Sequence, residues 1–96
     1  MHITVTAYRF GDTFLFQGYA LAIEGNEVIA RIVGDLSAGE VVCMRNSANP
    51  PQDFEKHACV QHRQGDRYQF AILSLSHRQR QCLKETGDWA LAMTFG

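Results

Sequence analysis

Period two governs this chain. Ile3, Val5 and Ala7 alternate with His2, Thr4, Thr6 and Tyr8, the pattern of a strand with one buried face. Residues 13–23 carry Leu15, Tyr19, Leu21 and Ile23 on one face and Phe14, Phe16, Ala20 and Ala22 on the other. With both faces largely apolar, this strand is expected to be central, with Gly18 marking a bulge. Gly25-Asn26 has the chemistry of a two-residue hairpin loop leading into residues 27–33. A short apolar run covers 41–44, and segments 57–63 and 67–75 flank Gln64-Gly65-Asp66 as a further hairpin. The one loop of any length, 46–53, contains Pro50 and Pro51, which cannot donate to a strand ladder. Ser76 and Gln79 have capping-box spacing and Gly87 is a natural stop, predicting a short helix over 77–86. Residues 89–95 alternate again and read as a final strand, although their Ala and Leu would also suit a helix.

Together these signals predict one mainly-β domain over residues 1–96. Such sheets close into a small barrel or fold into a sandwich. The reading adopted is a small antiparallel β-barrel of about six to seven strands with one short C-terminal helix. That helix offers few apolar residues (Cys82, Leu83 and the preceding Leu75), so it should lie on the barrel's surface or plug one end.

No run approaches the roughly 20 apolar residues that span a bilayer, so no membrane partner is expected. No cationic segment precedes an apolar one at the N-terminus, as a signal peptide would require. Cys43, Cys59 and Cys82 are odd in number and widely spaced, which favours reduced thiols in a cytoplasmic protein. The net charge of −1 hides an asymmetry: residues 1–55 sum to −4 and residues 56–96 to +3. That dipole can orient a charged partner, but it is not the concentrated basic face of a duplex-binding domain.

The chemistry available is sparse. Residues 33–40, Val-Gly-Asp-Leu-Ser-Ala-Gly-Glu, form a tight polar corner in which Asp35 and Ser37 can bond neighbouring amides and Gly39 can take unusual backbone angles. Such a corner serves as a turn or as a small anion- or nucleotide-binding loop. Asp35 and Glu40 could also pair as carboxylates. His57, Cys59 and His62 are close in sequence, but alternation sends His62 to the opposite face, so no metal is expected and the histidines are placed at the surface. Ser37 lacks the preceding glycine of a nucleophile elbow, so no catalytic residue is assigned and an enzyme is not expected. Tyr8, Phe10, Phe14, Phe16 and Tyr19 are read as core packing rather than a base-stacking platform. His77, Arg78 and Arg80 put cations in the first turns of the predicted helix, where they oppose its dipole. They are the candidate partner-binding surface.

Two segments together resemble the PilZ domain. Residues 30–39, Ala-Arg-Ile-Val-Gly-Asp-Leu-Ser-Ala-Gly, are similar to that family's strand and Asp/Asn-x-Ser-x-x-Gly motif. Residues 67–76, followed by 77–83, are similar to its closing strand, Ser-capped turn and basic helix. The resemblance spans roughly residues 14–85. It implies a six-stranded barrel with a C-terminal helix, a bacterial setting, and cyclic di-GMP as the ligand of many members. On this resemblance Arg9, Asp35, Ser37 and Gly39 are the candidate ligand-binding residues. The chain departs from the pattern where function is concerned. Members that bind the dinucleotide carry an Arg-x-x-x-Arg pair, whereas here Arg9 is followed four residues later by Thr13. The final motif glycine falls at Glu40, whose carboxylate would repel phosphate. The implied function is a non-enzymatic adaptor or regulator that acts through a protein partner, without a cofactor. A weak cyclic-dinucleotide sensor and an unrelated small phage-like inhibitor are the alternatives.

Overall fold

Each strand has one apolar face to hide, and six of them do so by closing on one another. In the computed structural model, which describes residues 1–9, 11–47 and 55–95, the strands are β1 (His2–Arg9), β2 (Asp12–Glu24), β3 (Glu27–Val33), β4 (Val41–Asn46), β5 (Glu55–Gln64) and β6 (Arg67–Ile72). Every pairing is antiparallel, and the order β1-β2-β3-β6-β5-β4 returns to β1 as a closed barrel. Ile3, Val5 and Ala7 from β1 meet Val28, Ala30 and Ile32 from β3, Val42 and Met44 from β4, and Tyr68 and Phe70 from β6 in its interior.

Helix α1 (His77–Thr86) begins at the predicted capping box. The Ser76 hydroxyl accepts from the Gln79 amide at 3.1 Å, and the Gln79 side chain accepts from the Ser76 amide at 2.8 Å. It ends at Gly87, in the left-handed region at φ 64°, where a Cβ would meet the Gly11 backbone from 3.1 Å. The helix lies on the outside of the barrel. Cys82 and Leu83 form a second small core with Val41, packed with Tyr8, Leu73, Leu75 and Trp89.

Three expectations are corrected. Residues 89–95 do not add a strand: Trp89–Ala92 is a short helix, α2, capped by the Asp88 side chain, which accepts from the Leu91 amide at 3.0 Å. Trp89, Ala92 and Phe95, three residues apart, face the second core, so a helical period lay inside the apparent alternation. The bulge in β2 falls between Ala20 and Ala22 rather than at Gly18. Gly18 is there for space: a Cβ would stand 2.6 Å from both the Arg31 carbonyl oxygen and Ile32 Cδ1. Finally, β2 is not covered on both faces. Its inward side packs Phe16 and Ala20 against the core, while Phe14, Leu15, Tyr19, Leu21 and Ile23 are exposed. Core packing therefore accounts for Tyr8 and Phe16 but not for Phe14 or Tyr19, and Phe10 lies outside the described residues. So does most of the 46–53 loop.

Gly18→Ala should lower stability by about 1–3 kcal/mol, the range for forcing a methyl into a filled site. A urea titration would check this, and an unchanged midpoint would mean that β2 and β3 move apart freely.

Candidate functional site

The corner at 33–40 is a crossover and not a turn between neighbours. Strands β3 and β4 do not pair, so the chain must travel across one mouth of the barrel to place β4 beside β1. Leu36 is buried in the barrel core as it passes. Its amide donates to the Tyr68 hydroxyl at 3.1 Å, and that hydroxyl donates to the Gly34 carbonyl at 2.8 Å. Farther along, the Gly39 amide donates to Val60 O at 2.7 Å and the Val60 amide to Glu40 O at 2.9 Å, fastening the crossover to β5.

Barrel closure does bring the sequence-predicted residues together. Arg9, Ser37 and Gly39 line one open cleft of about 560 Å³ with Tyr8, Ala38 and Glu40. The Arg9 Nη2 donates to the Asp35 carbonyl at 2.8 Å. What the sequence did not reveal is how the charges are spent. Arg9 grips the Glu40 carboxylate through both Nε and Nη2, the second bond at 2.9 Å. Glu40 Oε2 also accepts the Ser37 amide at 2.9 Å. Burial alone would raise the Glu40 carboxyl, but the Arg9 hydrogen bond, the Ser37 amide and the Arg9 charge outweigh it and hold it below its ordinary range. The same bond raises the Arg9 guanidinium. Paired charge-assisted bonds of this kind are the strong class. Arg9 also lies over the Phe14 and Phe16 rings, at 5.7 and 5.5 Å.

Asp35 does not bond a neighbouring amide. Its carboxylate accepts Arg63 Nη2 at 2.6 Å, and Arg63 stacks on Tyr68 at 5.1 Å. Arg63 is a site residue that sequence reading missed. The signal was the Gly65-Asp66 turn, which fixes Arg63 opposite Tyr68 in the β5–β6 pair. Asp35 and Glu40 are thus held by different arginines rather than bonded to each other.

The predicted partner-binding residues divide between two places. His77 and Arg78 line a groove of about 340 Å³ between α1 and α2, together with Gln81, Glu85, Leu91 and Phe95. Arg80 instead lines a smaller polar cleft with Glu55, Lys56, His57 and Ser74.

His57 corrects another expectation: it is 4% exposed rather than at the surface. It stacks on Tyr8 at a ring separation of 6.4 Å, and its Nε2 has no hydrogen-bond partner among the described residues. Burial lowers its pKa, helped by Lys84, Arg80 and Arg45 and opposed by Glu55. Burial likewise pushes the Tyr8 hydroxyl up to about 12 and raises the Cys43 and Cys59 thiols, which makes those thiols poor nucleophiles. Among the described residues no cluster of three His, Cys, Asp or Glu could hold a metal, and no helix is long and apolar enough to cross a membrane.

Comparison of the chain with protein-family models, with curated proteins and with solved structures finds no match in any of the three.

The buried His57, whose Nε2 has no hydrogen-bond partner among the described residues, sets a pH dependence. Folding favours its neutral form, so its contribution is fully present above about pH 6.5, the unfolded value. The contribution falls as pH drops below that, because the unfolded chain takes up the proton first. Thermal unfolding across pH 7.5 to 5 should show a falling midpoint, and His57→Leu should flatten that slope. An equal slope in the variant would place the titration elsewhere.

Proposed function

We propose that this protein is a non-enzymatic adaptor or regulator that binds an acidic segment of a protein partner through the groove between α1 and α2. The observation that carries this reading is the groove's composition. Leu91 and Phe95 supply apolar surface, His77 and Arg78 line the same groove, and Arg78 lies over the Phe95 ring at 4.8 Å. The first turn of α1 contains no acid. Cations there oppose the macrodipole by a few tenths of a kcal/mol each, so a partner's carboxylates would relieve a standing cost.

The resemblance to PilZ domains fits a member that has lost dinucleotide binding. Phosphate recognition by arginine depends on a free planar fork of N–H donors. Arg9 is engaged by Glu40 and the Asp35 carbonyl, and Arg63 by Asp35 and the Gly65 carbonyl. The cleft beside Arg9 keeps a second reading, weak dinucleotide sensing, testable.

Titration calorimetry should detect no cyclic di-GMP binding at a dissociation constant of about 1 μM or tighter, equivalent to about −8 kcal/mol. Binding at that level would favour the sensor instead. For the partner reading, a photo-cross-linking residue at Gln81 should trap one acidic protein in cells, and Arg78→Glu should abolish the adduct while leaving the fold intact. Arg80→Glu, on the other cleft, should reduce it far less. An adduct indifferent to Arg78→Glu would remove the groove from the reading.

A further inference from the structure

We propose that the cleft between the start of β5 and helix α1 is a binding site for a phosphate group, held by His57, Arg80, Lys56 and Ser74. The cleft measures about 190 Å³ and shares no lining residue with the groove between α1 and α2. It is walled by Lys56 and His57 from β5, Ser74 from the connection after β6, and Arg80 from α1. Organic ligands ordinarily occupy pockets of about 300 Å³ and more, so this one suits a small ion or the end of a molecule.

His57 lies at its floor, 4% exposed, and the Nε2 has no hydrogen-bond partner among the described residues. A buried polar atom left unpaired is costly, and in native structures such atoms are normally met by a water, an ion or a ligand. The neighbouring groups select an anion. Lys56 and Arg80 enter none of the ion pairs among the described residues. Ser74 is exposed, and its hydroxyl has no partner among them either. Glu55, the acid on the cleft's wall, is already held: Arg45 and Lys84 each meet one of its carboxylate oxygens at 3.2 Å. Lys84, Arg80 and Arg45, the cations that disfavour a proton on His57, favour an anion beside it. Donors converge from three separate segments of the chain. That arrangement suits the several acceptor oxygens of a tetrahedral phosphate better than the flat pair of a carboxylate. A phosphate oxygen that accepts from Nε2 also fixes the ring in the tautomer protonated there. The ligand is the free ion or the phosphate end of a small phosphomonoester.

Titration calorimetry of the full chain with inorganic phosphate, at neutral pH and constant ionic strength, tests this. Saturable binding is expected at a dissociation constant of about 1 mM or tighter. Nitrogen NMR of the His57 ring should show the Nε2 signal moving in step with saturation. Arg80→Gln and Ser74→Ala, both at exposed positions, should weaken binding, the arginine change by about tenfold or more. His57→Phe, which keeps a ring against Tyr8 but has no donor, should weaken it as well. Arg31→Gln, at an exposed cation on β3, should not. Glycerol phosphate binding more tightly than inorganic phosphate would support the phosphomonoester end as ligand, and the reverse order would support the free ion. No saturable binding of either up to about 20 mM would overturn the proposal. So would binding indifferent to both Arg80→Gln and Ser74→Ala, or a His57 ring signal that stays fixed while phosphate binds.

Discussion

Strand β4 is the element on which the rest of the structure depends. It closes the barrel by pairing with β1 on one side and β5 on the other. Its residues Val41, Val42, Cys43 and Met44 are all buried. Val42 and Met44 fill the barrel, while Val41 belongs to the core beneath α1. Alternation thus feeds two cores from one strand. Helix α1, with only Cys82 and Leu83 buried, would have little to stand on without that outer face. Two ion pairs reinforce the arrangement: Glu55 on β5 joins Lys84 on α1 and Arg45 on β4, each at 3.2 Å. Both pairs are well solvated, so they orient the helix more than they stabilise it.

The position of β4 also explains the candidate ligand corner. Because β4 must reach β1 from the far side of β3, the 33–40 segment has to cross the barrel mouth. A crossing segment leaves polar backbone without ladder partners, and those groups need satisfaction. Tyr68, Glu40 and Val60 provide it. Arg9, at the end of β1, meets Glu40 just ahead of β4, and the charge that could have met a phosphate becomes a brace for the fold. The same residues can hold the crossover or grip an anion, but one guanidinium cannot do both at full strength.

Much of the fold was legible because local signals agreed with it. The Gly25-Asn26 hairpin and the Ser76/Gln79 cap are set by neighbours in sequence, and both stand where they were expected. The errors share a different cause. Residues 89–95 alternate in hydropathy, yet Asp88 as a cap and the three-residue spacing of Trp89, Ala92 and Phe95 favour a helix once Leu83 offers a surface. Gly18 suggested a bulge, but its role is set by the Arg31 and Ile32 atoms facing it, which no local pattern discloses. The apolar outer side of β2 suggests burial when read as sequence, yet Leu15 and Tyr19 on it are exposed. At the site, Arg9, Asp35, Ser37 and Gly39 do gather at one barrel mouth. Their chemistry was hidden because Arg9 and Glu40 lie 31 residues apart, and Asp35 and Arg63 lie 28 apart. Pairs at such range exist only after the barrel closes. His57 was hidden for the same reason, since α1 and Tyr8 bury it from outside its own strand.

Hydrogen exchange followed residue by residue under native conditions is the most direct test of the claim that β4 serves two cores. The amides of Val41, Val42, Cys43 and Met44 should be among the slowest in the chain, exchanging only through global unfolding, while the Thr13–Leu15 amides, in the part of β2 that β3 does not reach, exchange faster through local opening. If the β4 amides exchange as fast as those of β2, or are released together with α1 well below the global unfolding free energy, β4 is not the shared support of barrel and helix.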